Sequence, residues 1–345
     1  MEKIGIIDLG SNNARLVIVE MLGDGHFIVV DQIKESVRLG KDMERDGFLK
    51  PQRIAETMRT LKMFRKLCDA YGIEKIIAVA TAAVRRAKNQ RSFLDEVATT
   101  CGIKFRVLTA EEEAVYVYRG VINTMDIPKG VILEIGGGST KIVRYVRKNL
   151  LNYETLPFGA VTLTELFAQD GLRPEEQAAK VEEFFVEQLK RIEWLKELDP
   201  ETQLIGVGGS FRSLCKLCKL MKKSPLNNVH NYRIPVNEFD NVYNMIKVLD
   251  LDKKKRIKGI SSERSCGDFG VRKIRRVRAD SHFGLRSSRR NNVQLRYADH
   301  YRKTDKRRFN VQFADSRKIL QLQSETRRPR GQPFCATLQA VKGSA

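Results

Sequence analysis

The chain has 345 residues, with 63 Lys+Arg against 42 Asp+Glu, a formal net charge of +21, and a hydrophobic share of 42%. That length and apolar share suit two compact domains and exclude disorder along the whole chain. No run approaches the ~18 apolar residues of a membrane span, and the amino terminus MEKIGIIDLGSNN lacks the unbroken apolar stretch of a signal peptide. The expectation is a cytoplasmic protein with no membrane part. Six cysteines scattered over this length are no disulfide framework, so reduced thiols are expected.

Taken in chain order, Ile4–Leu9 and Leu16–Met21 are β-branched runs around Gly10-Ser11-Asn12-Asn13, a hairpin with a polar turn. A mostly helical stretch is expected to follow, in which Pro51–Tyr71 places Ile54, Met58, Leu61, Phe64 and Leu67 at helical spacing. Lys75–Ala80 reads as a strand, Ser92–Thr100 as a helix and Phe105–Leu108 as a strand. The helix opened by Thr109-Ala110-Glu111-Glu112-Glu113 has a capping-box spacing from Thr109 to Glu112. Glu112 therefore has a structural task, which leaves Glu113, bordering the apolar stripe, as the better general-base candidate. After Pro128-Lys129-Gly130, Val131–Ile135 and Lys141–Val146 form a second hairpin around Gly136-Gly137-Gly138-Ser139. Leu204–Val207 then runs through Gly208-Gly209-Ser210 into a helix, where helix-start amides suit an anion. That helix carries Cys215 and Cys218, spaced for the core rather than for metal.

The two hairpins superpose at an offset of 126: Asp8 falls on Glu134, Gly10 on Gly136 and Arg15 on Lys141. A repeated strand, carboxylate, glycine-led turn and returning strand opening on a cation predicts two similar α/β halves facing a shared cleft. Glycine-led turns leave backbone N–H groups open to phosphate oxygens, and Ser11, Asn12, Ser139 and Thr140 add side-chain donors. Asp8 and Glu134, at the strand ends, are placed to hold a metal-bound or attacking water. Arg85, in AVATAAVRRAKN, is a further candidate for a phosphate. The expected division is residues 1–125, 126–264 and a tail, 265–345.

The tail differs from the rest. Residues 265–345 hold 20 Lys+Arg against 6 Asp+Glu, whereas residues 1–264 hold 43 against 36. The Arg-rich tail keeps neither a helical nor a strand period. It reads either as an unstructured segment following a reading-frame change near Arg264 or as a basic arm that grips polyphosphate or nucleic acid by counterion release. In the first case the second half is incomplete and its sheet exposes an edge.

In order, IGIIDLGSNNARLVIVE, AVATAAVRRAKN, TAEEEA, VILEIGGGSTKIV, LPFGAVTLTELF and LIGVGGSFRSL resemble the exopolyphosphatase and guanosine pentaphosphate phosphatase family over residues 1–264. The resemblance implies an α/β fold of two ribonuclease H-like (actin-like ATPase) domains flanking a cleft. It also implies hydrolysis that releases terminal orthophosphate from inorganic polyphosphate or guanosine pentaphosphate with Mg²⁺ or Mn²⁺. By the resemblance Glu113 is catalytic. Gly10, Ser11, Asn12, Arg15, Arg85, Gly136, Gly137, Gly138, Ser139 and Thr140 bind phosphates, and Asp8 and Glu134 hold the metal. The family commonly has an Asp where this chain has Glu134 and a Glu where it has Lys141. A phosphotransferase of the same superfamily and a non-catalytic binding remnant are the rival readings, and oligomeric state is open, a homodimer included.

Overall fold

β1 (Lys3–Leu9) and β2 (Asn13–Gly23) pair as the expected hairpin in the computed structural model, which describes residues 2–23, 26–167, 172–199, 201–225, 228–247 and 294–298. Ile7 and Leu9 on β1 and Leu16 and Ile18 on β2 are buried in the main core of this half, while Ile4, Val17 and Val19 form a small cluster on the other face. Alternation thus buries both faces of the hairpin. The next segment departs from the helical expectation: His26–Ser36 is a strand, β3, antiparallel to β2. Its Phe27-Ile28-Val29-Val30 run favours the pleat. Asp31, Lys34 and Glu35 are tolerated because β3 is an edge strand with no fully buried side chain.

α1 (Pro51–Ala70) buries Met58, Leu61 and Phe64, starts with proline in its first turn and ends before Gly72, whose φ of +65° suits glycine. β4 (Lys75–Ala80) lies parallel to β1, and α2 (Ala82–Arg86) and α3 (Gln90–Cys101) lead to β5 (Phe105–Val107), parallel to β4. The first sheet therefore runs β3-β2-β1-β4-β5.

α4 (Ala110–Ile122) starts on the capping box read from the sequence: Glu112 N–H donates to Thr109 Oγ1 at 3.1 Å and Thr109 N–H to Glu112 Oε2 at 3.0 Å. Its buried Ala114 and Val121 pack with Ile132, Val143, Tyr145 and Ile205, so this helix, although it precedes Pro128 in the chain, seats on the second sheet. There β6 (Lys129–Ile135), β7 (Thr140–Val146) and β8 (Asn149–Leu156) form an antiparallel meander. α5 (Ala160–Phe167) and α6 (Pro174–Lys190) lead to β9 (Gln203–Val207), parallel to β6, followed by α7 (Gly209–Met221), β10 (Arg233–Pro235) and α8 (Val236–Lys247).

The strand that completes this sheet comes from the basic tail. β11 (Gln294–Ala298) lies parallel to β9 and antiparallel to β10, giving the order β10-β11-β9-β6-β7-β8. It stands beside β9 as β5 stands beside β4. The edge of β9 is therefore paired, against the expectation drawn from the odd composition of the tail. The remainder of residues 248–345, and with it the reading of a polyanion-gripping arm, lies outside the described residues.

Register makes the repeat a structural fact. Asp8 pairs across the first hairpin with Arg15, and Glu134 across the second with Lys141. Gly10 N–H donates to Asn13 O, and Gly136 N–H to Ser139 O, each at 2.9 Å.

The loop between β3 and α1 bridges the halves. Glu44 pairs with Arg86 at 2.7 Å and accepts from Thr162 Oγ1 at 3.4 Å, while Asp42 N–H donates to Glu165 Oε1 at 2.6 Å. Cys215 and Cys218 are core residues, as expected, and burial pushes the Cys218 thiol up to about 12. No helix among the described residues is long and apolar enough to cross a membrane.

Phe211, in the first turns of α7, is fully buried against the core of the second half. Phe211→Ala is expected to cost about 3–5 kcal/mol by urea unfolding, through lost burial and the cavity left behind. A loss below about 1 kcal/mol would show that this core collapses onto the void.

Candidate active site

The two glycine-led turns meet at the floor of a cleft. A Cβ on Gly138 would stand 2.6 Å from Ser11 Oγ, and one on Gly137 would stand 3.0 Å from Ser11 Cβ, so glycine is what lets the loops approach. Each loop is strapped from behind: Gly40 N–H donates to Ser11 O at 2.8 Å, and Ala160 and Val161 N–H donate to Gly136 O and Gly137 O at 2.8 and 2.9 Å. The cavity above them has a volume of about 220 Å³.

Most of the residues singled out in the sequence line this cavity: Asp8, Gly10, Ser11, Asn12, Arg15, Glu113, Glu134 and Gly136–Ser139. Two stand elsewhere. Thr140 is fully buried and its Oγ1 donates to Phe158 O at 2.8 Å, so it fastens the strap behind the loop instead of facing a ligand. Arg85 Nη1 is bound to Leu108 O at 2.7 Å and to Glu113 Oε2 at 2.6 Å, which makes it a holder of the glutamate.

The centre of the site is a buried cation that the sequence reading placed in the repeat but assigned no role. Lys141 is 4% exposed, and its Nζ lies 2.9 Å from Glu113 Oε1 and 2.8 Å from Glu134 Oε2. Burial by itself lowers the pKa of this ammonium; the carboxylates of Glu134 and Glu113 outweigh that and hold it above the ordinary lysine value. Glu113, 7% exposed, thus has one oxygen on Arg85 and the other on Lys141. The buried Glu113 carboxylate is thus paired with two cations.

Asp8 is exposed to the open cavity on the floor of the cleft. Its enclosure by the surrounding walls pushes the carboxyl above the ordinary carboxylate range; Arg15 opposes the shift, and Glu113 and Glu134 add to it.

Two further cations, Lys34 and Arg212, line the cavity. Lys34 sits on β3 directly across from Arg15, so the misread strand concealed it. Arg212 follows the Gly208-Gly209-Ser210 turn, whose helix-start residues also line the cavity. Gly208 there has a φ of +99°, a conformation that needs glycine.

Of the expected metal pair, Glu134 is already paired with a cation, while Asp8 stands open to the cavity. Mg²⁺ takes oxygen ligands in near-ideal octahedral geometry and competes badly with a cation already seated on them. Here Glu134 and Glu113 share one ammonium, and among the described residues no three His, Cys, Asp or Glu side chains converge on a point that holds a metal. Lys141 occupies the space between Glu113 and Glu134.

A raised Asp8 pKa means that the folded state disfavours the ionised form. The cost enters as pH rises through the ordinary carboxylate range and persists at neutral pH. Asp8→Asn, melted in chelator, is expected to raise the melting temperature at pH 7 only slightly, because solvent in the open cavity screens the exposed carboxylate. It should leave it nearly unchanged at about pH 3, where folded and unfolded carboxyls are both protonated. A lower melting temperature at pH 7 would overturn this reading.

Comparison with known proteins identifies the fold and the family. An exopolyphosphatase structure from Cytophaga hutchinsonii superposes with a TM-score of 0.72 at 23% identity, covering 86% of this chain and 94% of its own, and so shares the fold. The Aquifex aeolicus PPX-GPPA enzyme does so with a TM-score of 0.68 at 26% identity, covering 86% and 96%. A bifunctional 3-dehydroquinate synthase/phosphatase from Fusobacterium nucleatum is 31% identical over 271 residues, 75% of this chain but 40% of that protein. A curated Haemophilus influenzae relative is 26% identical over 173 residues, 50% of this chain and 53% of its own length. This chain thus spans about half the length, or less, of both curated relatives. With two ribonuclease H-like halves, paired glycine loops and a family match spanning residues 17–266, the chain belongs to the Ppx/GppA phosphatase family.

Proposed function

We propose that the chain is a phosphoanhydride hydrolase that releases terminal orthophosphate from inorganic polyphosphate or guanosine pentaphosphate. The observation that carries this reading is the meeting of two matched glycine loops in one cavity with the buried, doubly anchored Glu113. Gly10 and Gly136 spend their amides inside the loops, while Ser11, Asn12, Gly137 and Gly138 line the cavity as phosphate contacts. Arg15, Lys34 and Arg212 surround it with positive charge that favours a polyanion.

In this reading Glu113 orients the attacking water and accepts its proton. An ionised carboxylate offers about four acceptor sites. Arg85 and Lys141 take two, leaving capacity for the water while fixing the carboxylate in one orientation. Charge developing on the phosphoryl oxygens is met by the loops and by the Lys141 ammonium, already in place before reaction. Magnesium that accompanies a polyphosphate in solution belongs, in this account, to the substrate.

Orthophosphate release from long-chain polyphosphate and from guanosine pentaphosphate tests the reading. Glu113→Gln is expected to lower the rate by about 10²–10⁴, the usual contribution of a general base. Folded wild-type chain that binds either substrate and releases no phosphate would make it a binding protein instead.

A further inference from the structure

We infer that Lys141 is the site's own resident cation, filling the place between Glu113 and Glu134, so that the unliganded chain has no divalent-ion site between these two carboxylates. The inference deepens the hydrolytic reading and rests on it for its catalytic meaning. Its structural content stands separately, in the placement of one ammonium.

Four observations carry it. The first is contact: Nζ lies within 2.9 Å of carboxylate oxygens from two elements, α4 and β6. The second is burial. At 4% exposure the ammonium has no water shell to retreat into, so the carboxylates are its solvation. The third is register. Lys141 opens the returning strand opposite Glu134 as Arg15 opens its strand opposite Asp8, so its side chain is directed into the cleft by the hairpin itself. The fourth is proximity to the phosphate loop: a Cβ on Gly136 would stand 3.7 Å from Nζ, so the ammonium borders the loop as well as the carboxylates.

Electrostatics then sets the outcome. A divalent ion approaching Glu113 and Glu134 must displace the ammonium or sit beside it, and like charges at such separations in a buried site repel strongly. The ammonium is ion-paired with two carboxylates, and its three N–H donors also allow it to meet a phosphate oxygen. It supplies part of a metal's service, a fixed positive charge beside the transferring group, and none of its inner-sphere coordination.

The test is Mn²⁺ binding to the full chain without substrate, read from the electron paramagnetic resonance signal of the free ion. Wild type is compared with Lys141→Met and Lys141→Glu, each checked for folding by circular dichroism. Removing the ammonium frees two carboxylates, and the glutamate adds a third. Both variants are therefore expected to bind one Mn²⁺ at least about tenfold more tightly than wild type, Lys141→Glu the more so, since affinity follows ligand charge. If Lys141→Glu folds only with the ion, Mn²⁺ should raise its melting temperature and leave that of the wild type unchanged. The inference falls if wild type takes up one Mn²⁺ that Glu134→Gln abolishes, or if folded Lys141→Met binds no better than wild type. Because no turnover is needed, a chain that proves hydrolytically inert would remove the proposed activity and leave this comparison readable.

Discussion

One buried ammonium stands at the chemical centre of this protein. Lys141 belongs to the second hairpin, Glu134 stands opposite it in the same hairpin, and Glu113 comes from the helix that follows the first sheet. Burying three charges is costly, and the cost is offset only when each has partners within hydrogen-bond reach. That requirement fixes where α4 must start relative to β6. It is met by the capping box on Thr109 and by the apolar seat of Ala114 and Val121 on the second sheet. Arg85 extends the chain of charges back to the first half, so Glu113 is clamped from both domains.

Around this centre the molecule uses one device twice. Each half presents a strand, a carboxylate, a glycine turn closed by the same backbone hydrogen bond, and a returning strand that opens on a cation. The two copies differ in exposure. Both carboxylates line the cavity, Asp8 exposed and Glu134 half-buried against Lys141, so the pseudo-symmetric frame holds an asymmetric pair of carboxylates.

Much of this was legible in the sequence because it depends on local signals. The offset of 126 residues, the capping box and the glycine turns each involve neighbours in the chain, and each reappears in the structure at the residues that showed it. β3 was not legible. Its Asp31, Lys34 and Glu35 break the alternation that marks a strand, and only an edge position makes them acceptable. Losing β3 also meant losing Lys34, whose place beside Arg15 is a matter of cross-strand register. Thr140 and Arg85 show the opposite limit. Their residue types suit phosphate, but Phe158 O and Leu108 O, distant in sequence, engage them. The function of Lys141 was hidden for the same reason, since α4 supplies the carboxylate that reveals it.

β11 carries a consequence for how the molecule assembles. In the first sheet β4 and its parallel neighbour β5 begin 30 residues apart, from Lys75 to Phe105, whereas β9 and β11 begin at Gln203 and Gln294. Parallel pairing across so long a separation pays its loop-closure entropy before the contacts return it, and it slows folding. During synthesis the first half has all its strands by Val107, and the second must keep the edge of β9 open until residues beyond Lys247 have emerged. The nascent chain therefore has an interval in which a finished half stands beside an unpaired parallel edge. In that interval strand exchange between neighbouring chains competes with completion of the sheet.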